Sequence, residues 1–197
     1  MDKDNFNIEL SLSNEALEEK TVASTKIFDG KVLHVRLDDI TLPNGKAATR
    51  EYCHHNGAVC VIPITQDKNV ICVRQYRYPF HEPLIEIPAG KLDSADELPD
   101  DAVKRELREE TGAIAQRLIY LGKYYPSPAI LDECIHMYAA TGLSFGDTEF
   151  DDDEFIETVK IPLETLVEMT LSGNIRDGKT QVCVLRAQMM IDRGLIY

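Results

Sequence analysis

Apolar residues fall along this chain of 197 residues in short runs, most of them too brief for anything but strands. From about Glu19 to Tyr52 the stretch KIFDGKVLHVRLDDITLPNGKAATREY reads as strands broken by the turn dipeptides Asp29-Gly30 and Asn44-Gly45, which predicts a small antiparallel sheet. Two or three strands are marginal alone, so this sheet is expected to dock on the main domain or on a second subunit, and a homodimer is predicted. From Cys53 onward, GAVCVIPIT and NVICVRQY are apolar, β-branched segments flanking Gln66-Asp67-Lys68 and are expected to be adjacent strands. LIEIPA at Leu84 to Ala89 is a shorter strand-like run that leads into Gly90 and a polar loop. Further strands are expected around Leu118 to Lys123 and Cys134 to Ala140, followed by an acidic stretch from Asp147 to Glu157. A helix after Pro162 and another from about Thr180 to Arg193 close the chain. Strands mixed with helices predict an α/β sandwich, divided into a small N-terminal β domain at 1–52 and a main domain at 53–197.

One segment departs from the strand rhythm. Gly90 to Gly112 reads GKLDSADELPDDAVKRELREETG, in which Pro99 suits an early helix position, Ala102, Val103 and Leu107 supply an apolar side, and Gly112 suits a left-handed C-terminal cap. Glu106, Glu109 and Glu110 stand at offsets of three and four, so their side chains project from one face of that helix. Like charges so placed cost an isolated helix only about 0.2–0.5 kcal/mol per pair, and a solvated acidic face is the plain structural reading. A bounded helix with a buried side and three carboxylates on one face also suits the gathering of a hard divalent cation.

Composition narrows the setting. Hydrophobic content of 44% and charged content of 28% are ordinary for a globular protein. No apolar run approaches the ~18–20 residues of a membrane span. The start MDKDNFNIEL lacks the basic and apolar regions of a secretory signal, so a cytoplasmic location is expected. The five cysteines, Cys53, Cys60, Cys72, Cys134 and Cys183, are widely spaced and suit reduced core thiols better than bridges or a zinc cage. His34, His54, His55, His81 and His136 form no metal-binding spacing. A net charge of −13 argues against nucleic acid as a partner. An acidic protein that binds an anionic substrate needs local positive charge, and carboxylate-held divalent cations provide it.

The acidic helix and its loop resemble the Nudix box, with Gly90, Glu97, Arg105, Glu106, Leu107, Glu109, Glu110 and Gly112 in register. Six residues rather than five separate Gly90 from Glu97, and Ala113 stands where a bulkier aliphatic residue is usual. The resemblance implies a Nudix-type α/β/α sandwich with a mixed sheet, and a hydrolase that attacks a diphosphate with water. It implies metal ligation by Glu106, Glu109 and Glu110 with the Ala89 carbonyl, and a Glu97–Arg105 salt bridge holding the loop to the helix. Mg²⁺ is the implied cofactor, with Mn²⁺ as a substitute. A carboxylate beyond the box is expected to position the water; Glu154 and then Asp152, in the DDDE run at 151–154, are candidates beside Glu109, and Glu157 is a weaker one. The plain reading of that run is a solvated acidic loop.

EIPAGKLD, Arg50-Glu51-Tyr52, RQYR at Arg74 to Arg77, and YYPSPAILDE with Pro126 and Pro128 are similar to the ADP-ribose pyrophosphatases of the family. Ala129 replaces the Gly usual after Ser-Pro there. By this resemblance Arg50 and Glu51 contact the adenine side, Arg77 neutralises the diphosphate, and Glu133 approaches the ribose or the water. Each could instead be a surface ion-pair residue. Phe28 or Tyr52 could stack on adenine, although burial in the sheet is the plainer role. The implied reaction is hydrolysis of ADP-ribose to AMP and ribose 5-phosphate. The alternatives are a nucleotide-sugar pyrophosphatase of another specificity, for example for GDP-mannose, and a non-catalytic ADP-ribose sensor.

Overall fold

The computed structural model describes residues 13–94, 96–148 and 155–196. The chain divides into two units, one comprising residues up to His55 together with Ala129–Leu131, the other Asn56–Pro128 with Asp132 onward.

In the first unit β1 (Lys20–Asp29), β2 (His34–Thr41) and β3 (Ala47–His54) form an antiparallel sheet in sequence order. The turn dipeptides fall where these strands end or connect: Asp29 closes β1 and the Gly30 N–H donates to the Leu33 carbonyl at 2.9 Å, while Asn44-Gly45 lies between β2 and β3 with Gly45 at a φ of 80°. Ala129–Leu131 joins this unit through the Cys53 N–H, which donates to the Ile130 carbonyl at 2.9 Å. β1 is exposed along its whole length, Val22, Ile27 and Phe28 included. Phe28 is thus a surface aromatic, against the expectation of burial, while Tyr52 is half-buried.

In the second unit β4 (Ala58–Pro63), β7 (Ala89–Lys91), β8 (Ala113–Tyr124) and β9 (Ile135–Phe145) form a sheet ordered β7-β4-β9-β8. Only the β4–β9 pair in it is parallel, so the sheet is mixed. A second sheet is ordered β10-β5-β6, from β5 (Asn69–Arg77), β6 (Glu82–Glu86) and β10 (Ile156–Pro162). The α-helices among the described residues are α1 (Pro99–Thr111), α2 (Leu163–Leu171) and α3 (Gly178–Asp192).

β4 is buried at every position. Val59 and Val61 pack with Ala102, Val103 and Leu107 of α1, whereas Ala58, Cys60 and Ile62 pack with Cys183, Val184 and Ala187 of α3. Side chains alternate across a strand, so β4 is the middle of an α/β/α sandwich. Here the structure corrects the reading of β4 and β5 as adjacent strands. Ile64 and Val70 form one isolated bridge across their turn, after which the two enter different sheets. The expected single strand from Leu84 to Ala89 is likewise divided, because Pro88 has no N–H for a ladder and the chain there changes from one sheet to the other.

α1 begins and ends as its sequence predicts. Pro99 is its first residue, and Gly112 caps it in the left-handed region at φ 67°, donating its N–H to the Arg108 carbonyl at 2.7 Å. A Cβ on Gly112 would also collide with the Gly146 carbonyl oxygen. Gly112→Ala is therefore expected to destabilise the fold by at least about 1–2 kcal/mol, read as a lower Tm or urea midpoint. An unchanged midpoint would contradict this account of the cap.

All five cysteines are free thiols, with Cys60, Cys72 and Cys183 buried. Burial pushes the Cys72 thiol up to about 12, which suits an inert core residue. Among the described residues no helix is long and apolar enough to cross a membrane.

Candidate active site

The change of sheet at Pro88 delivers Ala89 and Gly90 to the acidic face of α1. The Ala89 N–H donates to Glu110 Oε2 at 3.2 Å, and Glu110 is only 5% exposed. Gly90 lies so close to Glu106 that a Cβ there would fall on its carboxylate. The glycine leaves the Glu106 carboxylate its place, and a Cβ there would force that side chain to move. At the helix end, the Thr158 hydroxyl of β10 donates to the Glu110 carbonyl at 3.4 Å.

Arg105 organises the same face. Its Nη1 donates to Glu106 at 2.7 Å and to Glu109 at 3.2 Å, while Nη2 donates to Glu97 at 3.3 Å and to the Lys91 carbonyl at 3.3 Å. Glu97 in turn accepts the Asp93 N–H at 2.6 Å, which ties the loop to the helix through an Arg105–Glu97 pair. The reach of Arg105 to Glu106 and Glu109 was not legible in the sequence. It spreads these carboxylates over one guanidinium, and among the described residues no three His, Cys, Asp or Glu side chains converge as a metal cage. The donor set still fits a hard divalent ion: hard oxygen ligands on one helix face, one of them nearly buried, beside a glycine that leaves the carboxylate room. Gathering them requires Glu106 and Glu109 to turn from Arg105.

Arg77 is the cation of this unit with the most informative geometry. It donates through Nε to Glu86 Oε1 at 2.6 Å and through Nη2 to Oε2 at 2.8 Å, a bidentate pair. The hydrogen bond to Glu86 raises the Arg77 pKa against the effect of burial, and the charges of Glu86, Asp177 and Glu110 add to it. Glu86 also accepts from Lys179, whose Nζ lies 3.0 Å from Asp177 Oδ1. Glu86, Asp177 and Lys179 join the candidate site through Arg77, and the sequence did not single them out. The available signals were a lone carboxylate between Ile85 and Ile87, and a lysine in the first turn of α3.

The other candidates lie as follows. Arg50 on β3, in the first unit, donates to Glu19 through Nε at 2.9 Å and through Nη2, the exposed ion pair foreseen as its plain reading. Glu51 is beside it on β3, exposed and opposite Leu37. Glu133 lies between β8 and β9 and its charge reaches Tyr124. Glu157 is on β10 in an exposed pair with Arg74 at 3.0 Å. Asp152 and Glu154 lie outside the described residues.

Comparison with known proteins follows the two units. Residues 54–181 match the NUDIX domain family, and residues 19–52 match a family described as the nucleoside diphosphate sugar hydrolase N-terminal domain. The chain is 40% identical over 177 residues to an ADP-ribose pyrophosphatase of Bacillus subtilis (strain 168), covering 89% of this chain and 95% of that protein. It is 38% identical over 174 residues to a methanol dehydrogenase activator of Bacillus methanolicus, covering 87% and 94%. A crystal structure of an ADP compounds hydrolase superposes with a TM-score of 0.78 at 20% identity, covering 91% of this chain and 98% of the other, which shows a shared fold.

Proposed function

We propose, for a chain that belongs to the Nudix family, that it hydrolyses the diphosphate of ADP-ribose to AMP and ribose 5-phosphate with the help of a divalent cation. The observation that carries this reading is the placement of Glu106, Glu109 and Glu110 on one face of α1 against Ala89 and Gly90. The likeness over nearly the whole length to an ADP-ribose pyrophosphatase supports the substrate.

A bound divalent ion, Mg²⁺ or in its place Mn²⁺, would offset the diphosphate charge and acidify a coordinated water. Glu106, Glu109 and Glu110 would hold it, with the Ala89 carbonyl. Glu97 and Arg105 keep loop and helix in register. The water oxygen bonds to one phosphorus, the bridging P–O bond breaks, and the leaving phosphate carries the bridging oxygen away. The water's proton passes to a carboxylate, for which Glu109 is assigned because it is the most exposed of the three at 35%, against 12% for Glu106 and 5% for Glu110. Glu154 and Asp152 are the further candidates for that task.

Arg77 is assigned to the diphosphate, since its fixed guanidinium fork matches phosphate oxygens. Arg50 and Glu51 are assigned to the adenine side, with Arg50 exchanging Glu19 for substrate, and Glu133 to the ribose or the water. The match of residues 19–52 to a domain of nucleoside diphosphate sugar hydrolases supports a substrate role for the N-terminal β domain. The exposed face of β1, with Val22, Ile27 and Phe28, supports a homodimer. Light scattering is expected to give twice the chain mass of 22.2 kDa. A monomer at micromolar concentration would overturn that assignment. Free thiols in the core suit a cytoplasmic setting.

The test is a panel of nucleoside diphosphate esters assayed with Mg²⁺. ADP-ribose is expected to give the highest kcat/KM, with AMP and ribose 5-phosphate released in equal amounts. Preference for GDP-mannose would establish the nucleotide-sugar alternative. Tight binding of ADP-ribose with no turnover would establish the sensor.

A further inference from the structure

The group that holds Arg77 is itself held by a second cation. Glu86 is 2% exposed. Burial pushes its pKa up, but the Arg77 hydrogen bonds and the nearby charge of Lys179 outweigh that and leave it below the ordinary carboxylate value. Arg77 comes from the end of β5, whereas Lys179 comes from the first turn of α3.

Lys179 is 11% exposed and anchored on two sides, by Glu86 and by Asp177. Asp177 is the N-cap of α3, accepting the Thr180 N–H at 2.9 Å, and the Thr180 hydroxyl accepts the Ile87 N–H at 3.0 Å. The start of α3 is thereby fastened to the strand segment that carries Glu86. Two of the three N–H groups of the Lys179 ammonium are thus committed to buried or half-buried carboxylates, and little of the side chain reaches solvent.

Arg77 is placed differently. It is 38% exposed and spends on Glu86 only its Nε–H and one N–H of Nη2. A guanidinium has five N–H donors, so the remaining N–H groups, both of them on Nη1 and one on Nη2, have no protein acceptor among the described residues. The charge count is equally specific. Arg77 and Lys179 balance Glu86 and Asp177, and without Lys179 the group would carry a net negative charge beside a site for a polyanion.

We propose that Lys179 is a positioning residue for the diphosphate: by sharing Glu86 with Arg77 it lets the buried carboxylate fix the guanidinium plane while the Arg77 charge and outer N–H groups stay available to substrate. This rests on the reading of Arg77 as a diphosphate contact. Charge-assisted hydrogen bonds to such an anion are made before and during bond cleavage alike, so the loss falls on KM more than on kcat.

The experiment measures KM and kcat for ADP-ribose, with Tm, in K179M, K179R, R77A and the R77A/K179M double variant. K179M is expected to raise KM by about 10-fold with kcat within about 3-fold of the unchanged enzyme. K179R, which keeps the charge, is expected to reverse most of that rise. In the R77A background K179M is expected to add nothing further, because residues acting through one another are not additive. Should K179M fail to fold, K179Q, which keeps an N–H donor for Glu86 but no charge, is expected to show the same rise in KM. A lowered Tm with an unchanged KM, or an additive double variant, would overturn the proposal. An unchanged KM in R77A would remove the Arg77 reading itself and the proposal with it, a failure distinct from that of Lys179 alone.

Discussion

Glu110→Gln is expected to lower kcat for ADP-ribose by about 100-fold or more, because removing an anionic ligand withdraws several kcal/mol of transition-state charge stabilisation. The substitution is suited to the question because the side chain keeps its shape. Glu110 is 5% exposed and accepts the Ala89 N–H through Oε2, and an amide oxygen in the same place can accept that hydrogen bond too. What is lost is the negative charge. The fold should therefore survive, with Tm within a few degrees of the parent, while the affinity for Mg²⁺ and the turnover both fall. The paired readout matters: a large fall in Tm would make the kinetic loss ambiguous, and full turnover in a well-folded variant would mean that Glu110 is not a ligand.

Gly90→Ala probes the other side of the same contact. A Cβ at this position would fall on the Glu106 carboxylate, so Glu106 must swing away or β7 must move from α1. β7 is held by its ladder to β4, where Gly90 faces Val59 and Ala89 faces Cys60, so the flexible glutamate is the part expected to yield. Displacing one ligand in this indirect way is expected to cost on the order of 10–100-fold in metal affinity or in kcat at fixed Mg²⁺. Raising Mg²⁺ should recover part of the lost rate if affinity is what was damaged. Activity equal to the parent at low Mg²⁺ would show that Glu106 is not needed where the geometry puts it.

How much of this could be read without coordinates depended on whether the signal was local. α1 was legible because its punctuation is local: Pro99 starts it, the apolar positions repeat at helical spacing, and Gly112 ends it in a conformation that suits glycine. The three turn-related glutamates came with it, since spacing alone fixes their shared face. β4 and β5 were misread as partners for the converse reason. A continuous apolar run shows that a strand is buried but not which neighbour covers it, and β4 is covered by α1 on one side and α3 on the other.

The charge network was hidden for a related reason. Glu86 and Lys179 are 93 positions apart, and no sequence pattern joins them before α3 docks. Arg77 was assigned to the diphosphate from its resemblance alone, whereas its bidentate hold on Glu86 supplies the physical reason that it can be fixed in place. Arg105 was expected to pair with Glu97 and does so, but its second reach, to Glu106 and Glu109, depends on which side of the helix the loop returns to. The exposure of Phe28 on β1 was not legible, because no residue run in a sheet of this size reveals which of its faces stays uncovered.

The central claim is that carboxylates on one face of α1 bring a divalent cation to an acidic protein so that water can cut a diphosphate. ADP-ribose turnover measured in the metal-stripped protein, then after Mg²⁺ is added, and again after EDTA tests it most directly. The expected result is no AMP without metal, stoichiometric AMP and ribose 5-phosphate with Mg²⁺, and arrest by EDTA. Equal turnover in all three conditions, or intact ADP-ribose in the presence of Mg²⁺, would contradict it.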